Sequence, residues 1–72
     1  MEHKIQLLDT VTLLRAIPEL SLKTGQVGTV VEVFGEDDFE VEFVDKKGHT
    51  IALLPLKSTD VLVLQYELAS AH

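Results

Sequence analysis

Phe39-Glu40-Val41-Glu42-Phe43-Val44 alternates apolar and acidic side chains, and it lies between two turn-forming clusters, Gly35-Glu36-Asp37-Asp38 and Asp45-Lys46-Lys47-Gly48. Successive side chains of a strand point to opposite faces, so this segment is predicted as a strand with Phe39, Val41 and Phe43 on a core and Glu40 and Glu42 toward water. Tight turns at both ends make its neighbours in sequence its antiparallel neighbours in space. The chain is therefore built around a three-stranded meander, which needs further strands or a helix to close a core.

Further apolar runs separated by Gly and Asp clusters supply those strands. Residues 10–14 form the first, with Val11 and Leu13 on one face and Thr10 and Thr12 on the other. Residues 15–24 make an ordered excursion, because Pro18 fixes its own backbone and holds Ile17 extended; Ile17, Leu20 and Leu22 pin it. The second strand, 26–34, places Val27, Thr29, Val31 and Val33 on one face and Gly28, Val30, Glu32 and Phe34 on the other. A glycine inside a strand marks a bend, so the sheet is expected to curl at Gly28, where an added side chain would meet the loop 17–23. The fourth strand, 49–54, reaches Pro55, which ends it or puts it on an edge. Residues 57–60 are a turn, or one turn of 3₁₀ helix, before a fifth strand at 61–64.

The predicted fold is all-β, a small five-stranded SH3-like barrel whose closure hides its edges. Its predicted core is Val11, Leu13, Val31, Val33, Phe39, Val41, Phe43, Ile51, Leu53, Leu62 and Leu64. A ferredoxin-like fold lacks its helices here, and residues 45–48 leave no room for the helix of an OB barrel. Seventy-two residues close one core, which buries about 60% of the unfolded chain's surface. One domain over residues 1–68 with a frayed tail at 69–72 follows. There is no cysteine, hence no disulfide framework and no thiolate chemistry. No apolar run approaches the ~20 residues that cross a bilayer, and no signal-like apolar stretch follows residues 1–4. A cytoplasmic protein with no membrane partner is expected, monomeric or a weak homodimer.

Twelve acidic against six basic residues leave a net charge of -6, which repels a phosphate backbone and argues against nucleic acid. Glu32, Glu36, Asp37, Asp38, Glu40, Glu42 and Asp45 follow one another with no Lys or Arg among them, while the basic residues are scattered. One edge of the molecule is therefore expected to be strongly negative. Glu32 is expected to join Glu40 and Glu42 across the antiparallel pair, an arrangement that costs several tenths of a kcal/mol by repulsion.

Gly25-Gln26-Val27-Gly28-Thr29-Val30-Val31-Glu32-Val33 resembles the opening of the small barrels of KOW-type ribosomal and transcription factors and of the nitrile hydratase beta subunit. A broader resemblance takes in Leu7-Leu8-Asp9-Thr10-Val11, Pro18-Glu19, Leu22-Lys23, the Gly25 to Val33 stretch, Phe39-Glu40-Val41-Glu42-Phe43, Gly48, Ala52-Leu53-Leu54 and Leu56-Lys57. Over that span the chain resembles a family of short bacterial and cyanobacterial proteins carried as a domain of unknown function. The resemblance implies a small barrel and a protein partner encoded by an adjacent gene, in a manner similar to toxin and antitoxin pairs. It carries no catalytic residue.

The residues themselves offer no catalytic constellation and no cofactor. His3, His49 and His72 lack the close spacing of ligands on one element and read as exposed imidazoles, so no metal site is expected. Ser21, Ser58 and Ser70 have no nucleophile-elbow setting, and no helix follows Gly25 or Gly28 to make a phosphate loop. Glu40 and Glu42 share a face at a carboxylate-pair spacing, but an outward face beside Asp37 and Asp38 offers water in place of the shielding a general acid needs. The function expected is a non-catalytic interaction module that presents Glu32, Glu40, Glu42, Asp37 and Asp38 to a basic partner protein, as an antitoxin-like or accessory subunit. The alternative is an obligate structural subunit of an enzyme complex held through an apolar patch of Val30, Phe34 and Leu54. KOW-like nucleic-acid binding ranks last, since it would need a basic loop or exposed aromatics for stacking.

Overall fold

The computed structural model describes residues 4–64. β1 (Thr10–Leu13), β2 (Val27–Val33), β3 (Asp38–Val44), β4 (Thr50–Lys57) and β5 (Val61–Leu64) pair antiparallel in one sheet of order β4-β3-β2-β1-β5. The protein is all-β, as the sequence predicts. β4 runs through Pro55, which it tolerates because it is an edge strand and needs no donor on its free side. A 3₁₀ turn, Ser58–Asp60, joins β4 to β5, and another, Pro18–Leu20, lies in the loop between β1 and β2. The boundary at residue 68 and the tail 69–72 lie outside the described residues.

Among the described residues the expected closure is absent: no ladder joins β4 to β5, so the described sheet ends in two edges. β5 is four residues long and all four pair with β1, to which the 3₁₀ turn delivers the chain from the far edge.

The core comprises Val11, Leu13, Ile17, Leu22, Val30, Phe39, Val41, Phe43, Ala52, Leu56 and Val61, with Leu54 and Val63 packed against it. β1 and β3 present the expected faces. The others do not: Val31 is only half-buried, Leu64 likewise, and Val33, Ile51, Leu53 and Leu62 are exposed. Two β-bulges account for Val31, Ile51 and Leu53, whereas Val33 keeps its expected side opposite Phe39 and is exposed there near the β2–β3 turn. Glu32 stands opposite Glu40 and Val33 opposite Phe39, but the register shifts before Val30, which stands opposite Val41. Val31 is the extra residue, and from there toward the start of β2 every side chain exchanges faces. On β4 the register shifts between Phe43 and Val44, leaving Ile51 extra and turning Ala52 inward and Leu53 outward. In β5, Val61 opposes Leu13 and Val63 opposes Val11, which sends Leu62 outward with Thr12 and Leu64 with Thr10.

Phe43 makes these faces fit. Its ring lies between Ala52, its partner on β4, and Gly28 on β2, where a Cβ would come within 2.8 Å of the ring and 2.7 Å of Val41 Cγ1. Gly28 thus yields space to the core and neither marks the bulge nor faces the loop 17–23. In that loop Ile17 and Leu22 are buried and bridge each other, whereas Leu20 is exposed.

Candidate functional site

Alternation along β3 places Asp38, Glu40 and Glu42 on the outward face, away from Phe39, Val41 and Phe43. The β2–β3 turn sets Glu32 on the same face, directly opposite Glu40, and the bulge at Val31 sets Thr29 opposite Glu42. The expected cross-strand acidic group therefore exists. Glu40 and Glu42 are about 7 Å apart along β3, and Glu32 is about 5 Å from Glu40 at the backbone.

Neighbours on β4 divide these carboxylates into two kinds. Asp38 stands opposite Lys57, and Lys57 Nζ donates to Asp38 Oδ1 at 2.8 Å. That hydrogen bond and the Asp38 charge raise the Lys57 pKa above its ordinary value. Glu40 stands opposite Pro55 and Glu42 opposite Leu53, neither of which carries charge. Among the described residues no cation lies within ion-pair distance of Glu32, Glu40 or Glu42. Glu42 Oε2 accepts a hydrogen bond from Thr50 Oγ1, which holds its carboxylate without neutralising it.

Asp37 and Asp38, expected at the partner surface, fasten the fold. Ser58 Oγ donates to Asp37 Oδ1 at 2.9 Å, and the Ser58 amide donates to the Asp37 carbonyl at 3.2 Å. Together with the Lys57 bond these tie the start of β3 to the end of β4. Asp60 completes the corner: its Oδ2 accepts from the Lys57 amide at 2.9 Å and its Oδ1 from Arg15 Nε at 3.0 Å. The amide bond, then the bond to Arg15, hold the Asp60 carboxyl below its ordinary range. A shallow depression of about 440 Å³ lined by Arg15, Asp38, Pro55, Leu56, Lys57 and Asp60 opens here, but its charges already pair with one another. Asp45 closes the β3–β4 turn by accepting from the Lys47 and His49 amides, at 2.8 and 2.9 Å. His49 is exposed, and His3 and His72 lie outside the described residues. Among the described residues no group of three or more His, Cys, Asp or Glu is placed to hold a metal ion, and no helix is long and apolar enough to cross a membrane.

The apolar patch expected at Val30, Phe34 and Leu54 does not form. Val30 is wholly buried, and Leu54 packs against the core; Phe34 alone is exposed. The exposed aliphatics of the outward face are instead Val27, Val44, Leu53 and Leu62. Sequence reasoning placed Leu53 and Leu62 inside because nothing in the residues themselves announces the Ile51 bulge or the pairing of β5 with β1.

Neither a curated protein nor a solved structure matches the chain. Residues 7–63, more than three quarters of its length, match a family described as a domain of unknown function, DUF4926, and span β1 to β4, all but the last residue of β5, and the acidic face. The chain belongs to the DUF4926 family.

Proposed function

We propose that this chain is a non-catalytic binding module whose outward sheet face recruits a basic protein in the cytoplasm, as an accessory or antitoxin-like subunit. One observation carries the proposal. Within the β2–β3–β4 meander Asp38 is given Lys57 as its cross-strand partner, whereas Glu32 and Glu40 oppose each other and Glu42 faces Leu53. Like charges directly opposite on a sheet are destabilising. A cation from outside relieves that repulsion, so binding gains what folding forgoes. The partner is a protein in place of nucleic acid, since the net charge is -6 and the uncompensated groups are carboxylates.

Strand order β4-β3-β2-β1-β5, with a 3₁₀ turn ahead of β5, supports reading the sheet as an opened SH3-like barrel. Such a scaffold suits a binding role, because the acidic residues sit on strands whose other faces are locked in the core.

Co-expression with the product of the adjacent gene tests the proposal. The two chains are expected to co-purify at low ionic strength and to separate as salt rises, and Glu40→Lys with Glu42→Lys is expected to abolish co-purification while the melting curve stays close to that of the parent. Co-purification unaffected by that double change would overturn the assignment of this face.

A further inference from the structure

The carboxylates occupy only one end of the outward face. Beyond the Thr29–Glu42 pair, where the β2–β3 ladder ends, Val27 and Val44 follow two residues along their strands on the same face, both exposed. Leu62 lies two strands away on β5, beyond Thr12, whereas Leu53 stands one row further along, opposite Glu42 on β4. From Val44 the carboxylates begin about 7 Å along the strand, at Glu42, and reach about 13 Å, at Glu40. The face is thus bipartite along the strand direction: aliphatic at one end and anionic at the other.

Resting on the proposed recruitment of a basic protein, we infer that the partner docks through a single helix laid along β2 and β3, with apolar residues on Val27 and Val44 and Lys or Arg on Glu42, Glu32 and Glu40. A helix about 10 Å across covers the two adjacent strands, about 5 Å apart, on which these five residues lie. At 1.5 Å rise per residue its cations follow its apolar anchors by about four to nine positions, which on one helix face means apolar residues at i and i+3 and cations at i+7, i+8 and i+11. An extended segment fits less well: laid on aliphatic side chains it leaves its backbone groups unpaired, and at the β4 edge Pro55 offers no donor. A second copy does not complement the whole face. A two-fold axis along the strands sets carboxylates on carboxylates, and one across them sets carboxylates on aliphatics.

Fluorescence anisotropy with a labelled, alanine-based helical peptide of about 14 residues carrying that leucine and lysine pattern provides the test. The control peptide has the same composition with its lysines distributed around the helix. The patterned peptide is expected to bind roughly tenfold tighter than the control. Val27→Thr with Val44→Thr, which keeps β-branched residues on the strands, is expected to remove that advantage and leave the salt dependence in place. Glu40→Gln with Glu42→Gln is expected to flatten the salt dependence. Equal binding of the two peptides, or no binding of either, would overturn the helix inference. Equal binding that stays salt-dependent and is lost in the glutamine variant would leave the acidic-face proposal standing. A dimer in sedimentation that the threonine variant dissociates would overturn the inference in favour of a second copy.

Discussion

Gly28→Ala isolates the packing that orients the sheet. A Cβ at this position lies 2.7 Å from Val41 Cγ1 and 2.8 and 2.9 Å from Phe43 Cε1 and Cδ1, and real Cβ atoms do not approach carbon so closely. None of those atoms belongs to a flexible side-chain end, because Val41 and Phe43 are fully buried. Relief requires the Phe43 ring to move toward Ala52 or the two strands to part, and overpacking of this kind costs about 1–3 kcal/mol. Alanine restricts the unfolded chain more than glycine does, which returns about 0.4–1 kcal/mol. The net expectation is a loss of about 1–2 kcal/mol, or roughly 5–15 °C in Tm for a domain of this length. Gly28→Val adds two further methyl groups at the same contact and is expected to abolish cooperative melting. Circular dichroism melts in urea and with temperature read both variants. Combining Gly28→Ala with Phe43→Leu separates the mechanism from generic strand damage, because the smaller side chain vacates the clash and the two changes should be markedly non-additive. A Gly28→Ala protein as stable as the parent, or strict additivity with Phe43→Leu, would refute the placement of Phe43 over Gly28.

Other perturbations test other parts of the molecule. Phe43→Ala removes a fully buried ring and is expected to cost about 3–5 kcal/mol, enough to leave most of the chain unfolded by denaturant titration. Glu40→Gln removes the repulsion against Glu32 and is expected to raise stability by about 0.2–0.5 kcal/mol at low salt, a gain that shrinks as ionic strength rises, measured by urea titration. Asp60 is depressed below its ordinary value of 3.8, so its contribution is complete above that value and is lost as pH falls through the lower folded one; Asp60→Asn is expected to cost about 1 kcal/mol at neutral pH and to flatten this part of the acid transition in pH-dependent melts. Leu8 is exposed at φ +72°, where a β-carbon is strained, and Leu8→Asn is expected to raise stability by about 0.5–1 kcal/mol, read as a higher Tm.

The alternation of Phe39, Glu40, Val41, Glu42 and Phe43 is legible because only one phase buries the aromatics. It fixes β3, its outward carboxylates and the antiparallel meander. Val30-Val31 and Ile51-Ala52-Leu53-Leu54 are apolar at both phases, so each one-residue bulge reverses the face without leaving a trace in hydrophobicity. The readable trace was size: Gly28 and Ala52 are small residues inside apolar strands, and both mark the space that Phe43 fills. Openness of the sheet was not legible, since it depends on which strand β5 joins. At the candidate site, Glu32, Glu40 and Glu42 could be grouped from turn lengths alone, whereas the engagement of Asp37 with Ser58 and of Asp38 with Lys57 depends on how β4 returns along β3.

The central claim is that Glu32, Glu40 and Glu42 form an anionic surface that a basic partner reads. Stopped-flow association of the adjacent-gene product with the parent chain and with Glu32→Gln/Glu40→Gln/Glu42→Gln, across a range of ionic strength, tests it most directly. The parent is expected to associate faster at low salt and to slow steeply as salt rises, whereas the triple variant should start roughly tenfold slower and change little. Identical rates and identical salt slopes for the two proteins would contradict the claim.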